Sequence, residues 1–273
     1  MTSTTTGRQT PAPGVRITQA RIIGSEWVKL RSLRSTTYSL VAAVAIIIGL
    51  GLLFSYFDVA RWSTLSAADR AAINPISVSL RGVLLAQLVI GSLGILLITG
   101  EYATGMIRAT VSAVPRRLPV LWAKLILFGV VAAVVSVAAA MTAFLSGQAI
   151  FGARHIGASL GDPGVLRIVI GAGLYLAMVG LLGMALGFIV RSTAGAITVL
   201  FGILLVLPVL AEVLPSDWTG HVIPYLPSNA GQAIMHLSAG PDSLAPWTGF
   251  ALFIGYVAAA VVAGAILLRR RDA

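Results

Sequence analysis

Cysteine is absent from this chain of 273 residues, and lysine nearly so: two lysines stand against 17 arginines. Without thiols, disulfides, thiolate nucleophiles and Cys-type zinc sites are all excluded. Charge of either sign is also scarce. Only 10% of the residues are charged, 58% are hydrophobic and the mean hydropathy is +0.95, whereas soluble domains carry about 25% charged residues. The scarcity is patterned. Ser35–Phe57, Gly82–Gly100, Leu125–Ala153, Ile168–Val190, Ser192–Ala211 and Ser243–Leu268 hold no charged residue at all, and the shortest has 19 residues. About 20 apolar residues in a helix cross a hydrocarbon core of about 30 Å. The expected fold is therefore an all-α integral membrane protein with six transmembrane helices. The segments between the runs are too short to bury a core of their own, and no internal repeat stands out.

What charge there is alternates along the chain. Lys and Arg number 6, 3, 4, 2, 1, 0 and 3 in the successive segments outside the runs, so even and odd sides carry 14 and 5. The positive-inside rule then places both termini in the cytoplasm. A net charge of +10 distributed in this way points to membrane orientation rather than to nucleic acid. Trp27, Trp62, Trp122, Trp218 and Trp247 all fall near run ends or outside the runs, where amphipathic rings favour the headgroup layer. The first run is too long, and preceded by too many residues, for a cleaved signal peptide.

Three regions follow. Residues 1–15 are Thr/Pro-rich and read as a disordered tail. Residues 16–34 read as a basic amphipathic helix in the membrane interface. Ile23, Trp27 and Leu30 share one side, Arg21, Ser25, Lys29 and Ser32 the other, and Glu26 and Arg34 intrude on the apolar side. A plain cytosolic lead-in to the first span is the alternative. Residues 35–273 form the six-helix domain. Within Asp58–Arg81, Ser66-Ala-Ala-Asp69 resembles a capping box, and a short helix should stop before Asn74-Pro75. Glu212–Asp242 has four prolines, no Lys or Arg, and Ile223, Leu226, Ile234, Met235 and Leu237. It is expected to fold back against the ends of the spans.

Catalytic chemistry finds little purchase. His155, His221 and His236 lie outside the runs and lack a partner at metal-ligand spacing, and H-E-x-x-H and G-x-S-x-G are missing. A P-loop needs Lys followed by Ser or Thr, but Lys29 and Lys124 each precede Leu. Ion-coupled transporters keep Asp, Glu, His or Arg inside the membrane at a cost of about 2.5–3.5 kcal/mol or more, and all six runs lack them. The chain is expected not to be an enzyme, and to hold neither metal nor cofactor. Uphill movement of a solute would draw its energy from a partner ATPase.

The loop after the second run would receive that partner. Glu101 ends the run and Gly105 permits a break. Met106, Ile107, Thr110, Val111 and Val114 recur at helical spacing as one apolar stripe. Pro115 stops the helix, Arg116 and Arg117 follow, and Pro119 suits the first turn of the third span. A simple helix–turn–helix connector is the competing reading.

Glu101, Tyr102, Gly105, Ile107, Arg108, Thr110, Pro115 and Arg117 resemble the coupling region of the membrane subunits of type-2 ABC exporters. The stretch Glu26-Trp27-x-Lys29-Leu30-x-Ser32-Leu33-Arg34-Ser35 is similar to that family's amphipathic elbow. Leu226-Pro227-Ser228-Asn229-Ala230-Gly231 looks like its outer loop before the last span. The resemblance extends over essentially the whole chain. It implies a bacterial half-transporter in the cytoplasmic membrane. Two six-helix permeases, identical or homologous, would form the pathway, and a separate ATP-binding subunit would carry ATP and Mg. Each elbow would lie along the inner leaflet, and each coupling helix, with Met106 and Val111 on its stripe, would seat on an ATPase. Charge-free spans favour an amphipathic or apolar cargo, a small molecule or lipid; no substrate residue is assigned. A membrane-embedded enzyme and a non-transporting sensor or scaffold remain as alternatives. Gly173-x-x-x-Ala177, Gly183-x-x-x-Gly187 and Gly255-x-x-x-Ala259-x-x-x-Ala263 permit close helix approach in lipid, favoured here within one subunit.

Overall fold

The computed structural model describes residues 19–105, 117–213, 220, 222–240 and 243–270, and among these there is no β-strand. A helix α1 (Gln19–Ser32) precedes six passages long and apolar enough to cross a membrane, the character of a multi-pass membrane protein. The first is α2 (Arg34–Ala60). After α3 (Ala67–Ala72), the second is built from α4 (Pro75–Ser79) and α5 (Val83–Ala103). The third and fourth are α6 (Arg117–Gly152) and α7 (Val165–Val190). In the fifth, α8 (Thr193–Phe201) joins α9 (Leu207–Ala211) through a π-helical turn at Gly202–Val206. The wider turn precedes Pro208, which has no N–H to continue the regular ladder. Helix α10 (Pro227–Gln232) is short, and α11 (Pro246–Arg270) is the sixth passage.

Several boundaries depart from the charge-free runs, and for Asp58 and Lys124 the reason is electrostatic. Helix α2 runs through Asp58, which is buried because Arg61 and Arg81 pair with it. Helix α6 begins eight residues before its run and carries Lys124 inside it. Arg34 belongs to the first passage rather than to the amphipathic helix, because the chain breaks at Leu33 (φ −78°, ψ 106°). Other local signals hold. Ser66 caps α3, its Oγ accepting from the Asp69 N–H at 3.1 Å. Asn74 caps α4, with Pro75 in the first turn. Gly105 takes the left-handed conformation (φ 68°) at the end of α5, which a residue with a Cβ adopts only under strain.

Helices α7 and α5 form the centre of the bundle, while α2, the fifth passage and α11 bury only 22% of the residues along their most apolar stretch. Val41, Leu53, Val130, Val134, Val209 and Val262 are exposed, as a surface facing hydrocarbon requires. At the centre, side-chain-free positions set the spacing. A methyl on Gly94 would run into the Gly180 carbonyl, and one on Gly183 into the Gly91 carbonyl. Gly173 meets the backbone of Val137 in α6. The small-residue pairs of α7 therefore pack inside this chain. Those of α11 do not: a Cβ on Gly255 would meet open space.

Residues 222–240 fold back against α7 and α11. Ser228, Ala230, Ala233 and Ile234 are buried, and Arg167 donates to the carbonyls of Ile234, His236 and Leu237 at 2.9–3.0 Å. At the opposite end, Leu268 near the end of α11 joins the apolar cluster that includes Leu93, Leu121 and Leu125. The start of α2 and the end of α11 thus share one end of the bundle. That same end holds α1.

Candidate functional site

Both lysines of the chain meet Glu26 and Glu101 in one cluster at this end. Lys124, two turns into α6, donates to Glu26 Oε2 of α1 at 2.5 Å and to Glu101 Oε1 of α5 at 2.6 Å. Lys29 donates to Glu26 Oε1 at 3.0 Å and to Glu101 Oε1 at 3.4 Å. The Lys124, Glu26 and Glu101 side chains are 7%, 6% and 9% exposed, against 32% for Lys29. Removing ions from water is costly unless partners and hydrogen bonds compensate. Here two positive and two negative charges sum to zero. Glu101 lies at the C-terminus of α5, where the helix dipole disfavours an anion, and the lysines offset that. Burial is the largest single influence on Lys29 and pulls its pKa down. The hydrogen bond that Lys29 donates to Glu26 and the charges of Glu101 and Glu26 outweigh it, so the pKa is raised.

The helices that bring these residues together do so through ordinary packing. Ile23 sits against Val120 and Ala123, and Leu30 against the core that includes Leu93 and Leu125. This packing turns Glu26 inward, where it is the most enclosed residue among those of α1 whose side chains are described. Trp27 remains exposed, as does Arg34. Tyr102 lies under the guanidinium of Arg191, 4.9 Å from the ring centre. Of the other sequence-derived candidates, Gly105 ends the described part of the loop and Arg117 begins α6. Met106, Ile107, Arg108, Thr110, Val111 and Pro115 lie outside the described residues.

Sequence reasoning missed Lys124 as a site residue. The available signal was chemical: an acid on the apolar side of an amphipathic helix needs a buried cation, and a chain using arginine almost everywhere kept lysine at two places. A cavity of about 460 Å³ opens beside the cluster between α1, the start of α2, α5 and α6. Deeper in the bundle, the Tyr175 hydroxyl donates to Gln87 Oε1 and accepts from Gln232 Nε2 at 3.5 Å, while its ring packs 5.5 Å from that of Phe253. These groups hold α5, α7, α10 and α11 in register. At the far end, Gln148 donates to the Pro75 carbonyl and to Ser79 Oγ, both at 3.1 Å. Near it, partial burial and the charge of Arg167 hold the His236 imidazole below its usual pKa. Among the described residues, no three of His, Asp and Glu converge as metal ligands.

No protein-family model matches this chain, and no curated protein matches it either.

Proposed function

We propose that the chain is the membrane-spanning subunit of an ATP-driven exporter, working with a separate ATP-binding subunit. The observation carrying this reading is the four-charge cluster at one end of the bundle. It fastens an amphipathic helix, α1, to the two helices, α5 and α6, that flank the loop proposed to meet the ATPase. In this reading α1 is the elbow in the cytosolic leaflet, and residues 106–116 with Gly105 and Arg117 form the coupling region. Both termini are cytosolic in a bacterial plasma membrane. A force applied to the loop would reach α1 and both central helices through Lys124. Two copies would enclose a pathway for an amphipathic or apolar solute. The six charge-free runs hold no residue that could shuttle protons, and the charges carried in the passages, Asp58, Glu101 and Lys124 among them, lie towards their ends, which favours ATP in a partner as the energy source.

The test is purification from native membranes with a polypeptide bearing the G-x-x-x-x-G-K-[ST] signature, in equal copy number. Ile107→Asp or Arg108→Ala should lose that subunit or uncouple its hydrolysis, without impairing insertion. Ser63→Ala, at an exposed position of the opposite end of the bundle, should retain it. Proton-gradient-driven solute movement by the chain alone in ATP-free liposomes would contradict the reading.

A further inference from the structure

The cavity beside the charge cluster combines features that the cluster's own ion pairs leave unused. Among the described residues, Glu101 Oε2 has no hydrogen-bond partner although it is buried, and Glu101 lines the cavity. The Thr36 hydroxyl, in a residue 2% exposed, is likewise unpartnered and lines the same space. An unsatisfied buried polar atom costs about 1–3 kcal/mol, more when charged, so two beside one cavity call for a ligand that supplies hydrogen-bond donors. Lys29 stands at the rim with its ammonium bonded to two carboxylate oxygens, and a third N–H remains to donate. The rest of the wall is apolar and includes Leu33, Leu93, Leu97, Leu127 and Phe128.

We infer that this cavity is a binding site for an aminophospholipid, phosphatidylethanolamine. The ethanolamine ammonium donates to Glu101 Oε2 and Thr36 Oγ1, the phosphate accepts from Lys29, and one acyl chain fills the leucine-lined space. Three observations select this headgroup. The cluster is already neutral, so a ligand of zero net charge adds no uncompensated charge to a buried site. A quaternary ammonium has no N–H to give Glu101 Oε2, which disfavours phosphatidylcholine. An anionic headgroup such as phosphatidylglycerol would bring an unpaired negative charge beside two glutamates. The volume of about 460 Å³ is in the range of small-molecule sites and accommodates a headgroup and part of one chain, leaving the second chain in the bilayer. Such a lipid would mortar α1 to the bundle, whether or not the chain transports anything.

Native mass spectrometry of the full-length protein in detergent, with the three lipids added at equal concentration, tests this. The expected result is one retained phosphatidylethanolamine per chain, preferred about tenfold or more, as one charge-assisted hydrogen bond implies. Leu97→Trp should fill the cavity and abolish retention without touching the charges. Thr36→Val keeps the volume, removes a hydroxyl that has no protein partner, and should weaken retention while leaving the melting temperature of the delipidated protein unchanged or higher. Equal retention of the three lipids would overturn the proposal. So would undiminished retention by a folded Leu97→Trp protein. Neither result bears on ATPase association, which the Ile107→Asp experiment reads separately.

Discussion

Lys124 is the residue on which the charged end of the bundle converges. Its side chain is 7% exposed, and its ammonium contacts two carboxylates from helices remote in sequence. Lys124→Met would leave Glu26 and Glu101 with only the half-exposed Lys29 and should destabilise the protein by about 3–5 kcal/mol, the usual consequence of breaking a buried ion pair. Lys124→Arg should also lose stability despite conserving charge, because a planar fork does not fit where a compact ammonium is enclosed. Thermal unfolding in one detergent checks both, and a wild-type melting point for Lys124→Met would refute the cluster's structural role. His236 gives a milder pH effect. Its depressed pKa means the unfolded chain binds the proton more readily. Stability tied to this group is present above the unfolded value of about 6.5 and is lost as pH falls from there through the lower folded value. His236→Gln should reduce that acid sensitivity.

Among the elements, α7 shows how small residues act in lipid. With apolar solvent outside, helices associate through close packing and hydrogen bonds rather than burial alone. Gly183→Ala would force a methyl into the Gly91 carbonyl and should cost about 1–3 kcal/mol, as overpacking does. Gly255→Ala enters open space and should be neutral or slightly stabilising in the isolated subunit, since Ala favours helix over Gly. Equal effects would contradict the assignment of the α7 face to internal packing. The two stripes look alike in sequence, and only the fold separates them. By contrast, the six passages were legible because each is a long charge-free run. The cap at Ser66 and the helix stop before Asn74-Pro75 were legible because their chemistry is local. Less visible were the boundaries at Asp58 and Lys124. A hydropathy reading ends a span at a charge, whereas a charge satisfied by Arg61, Arg81 or a pair of glutamates can stay within the helix.

For the whole molecule, geometry puts the start of α2, the end of α11, the charge cluster, Gly105 and Arg117 at one end of a six-passage bundle. The lysine cluster was not readable from any single window, since its members stand 23 and 98 residues apart. The proposed function requires that end to face the cytosol, where an ATPase can reach it, and the orientation can be measured without background because the chain has no cysteine. Single cysteines at Ser63, Ser112 and Ser216 should be treated with a membrane-impermeant thiol reagent on intact cells and again after permeabilisation. The account predicts labelling of Ser63→Cys and Ser216→Cys in intact cells, and of Ser112→Cys only after permeabilisation. Labelling of Ser112→Cys from outside would invert the molecule, put the proposed coupling segment out of reach of ATP, and contradict the exporter reading.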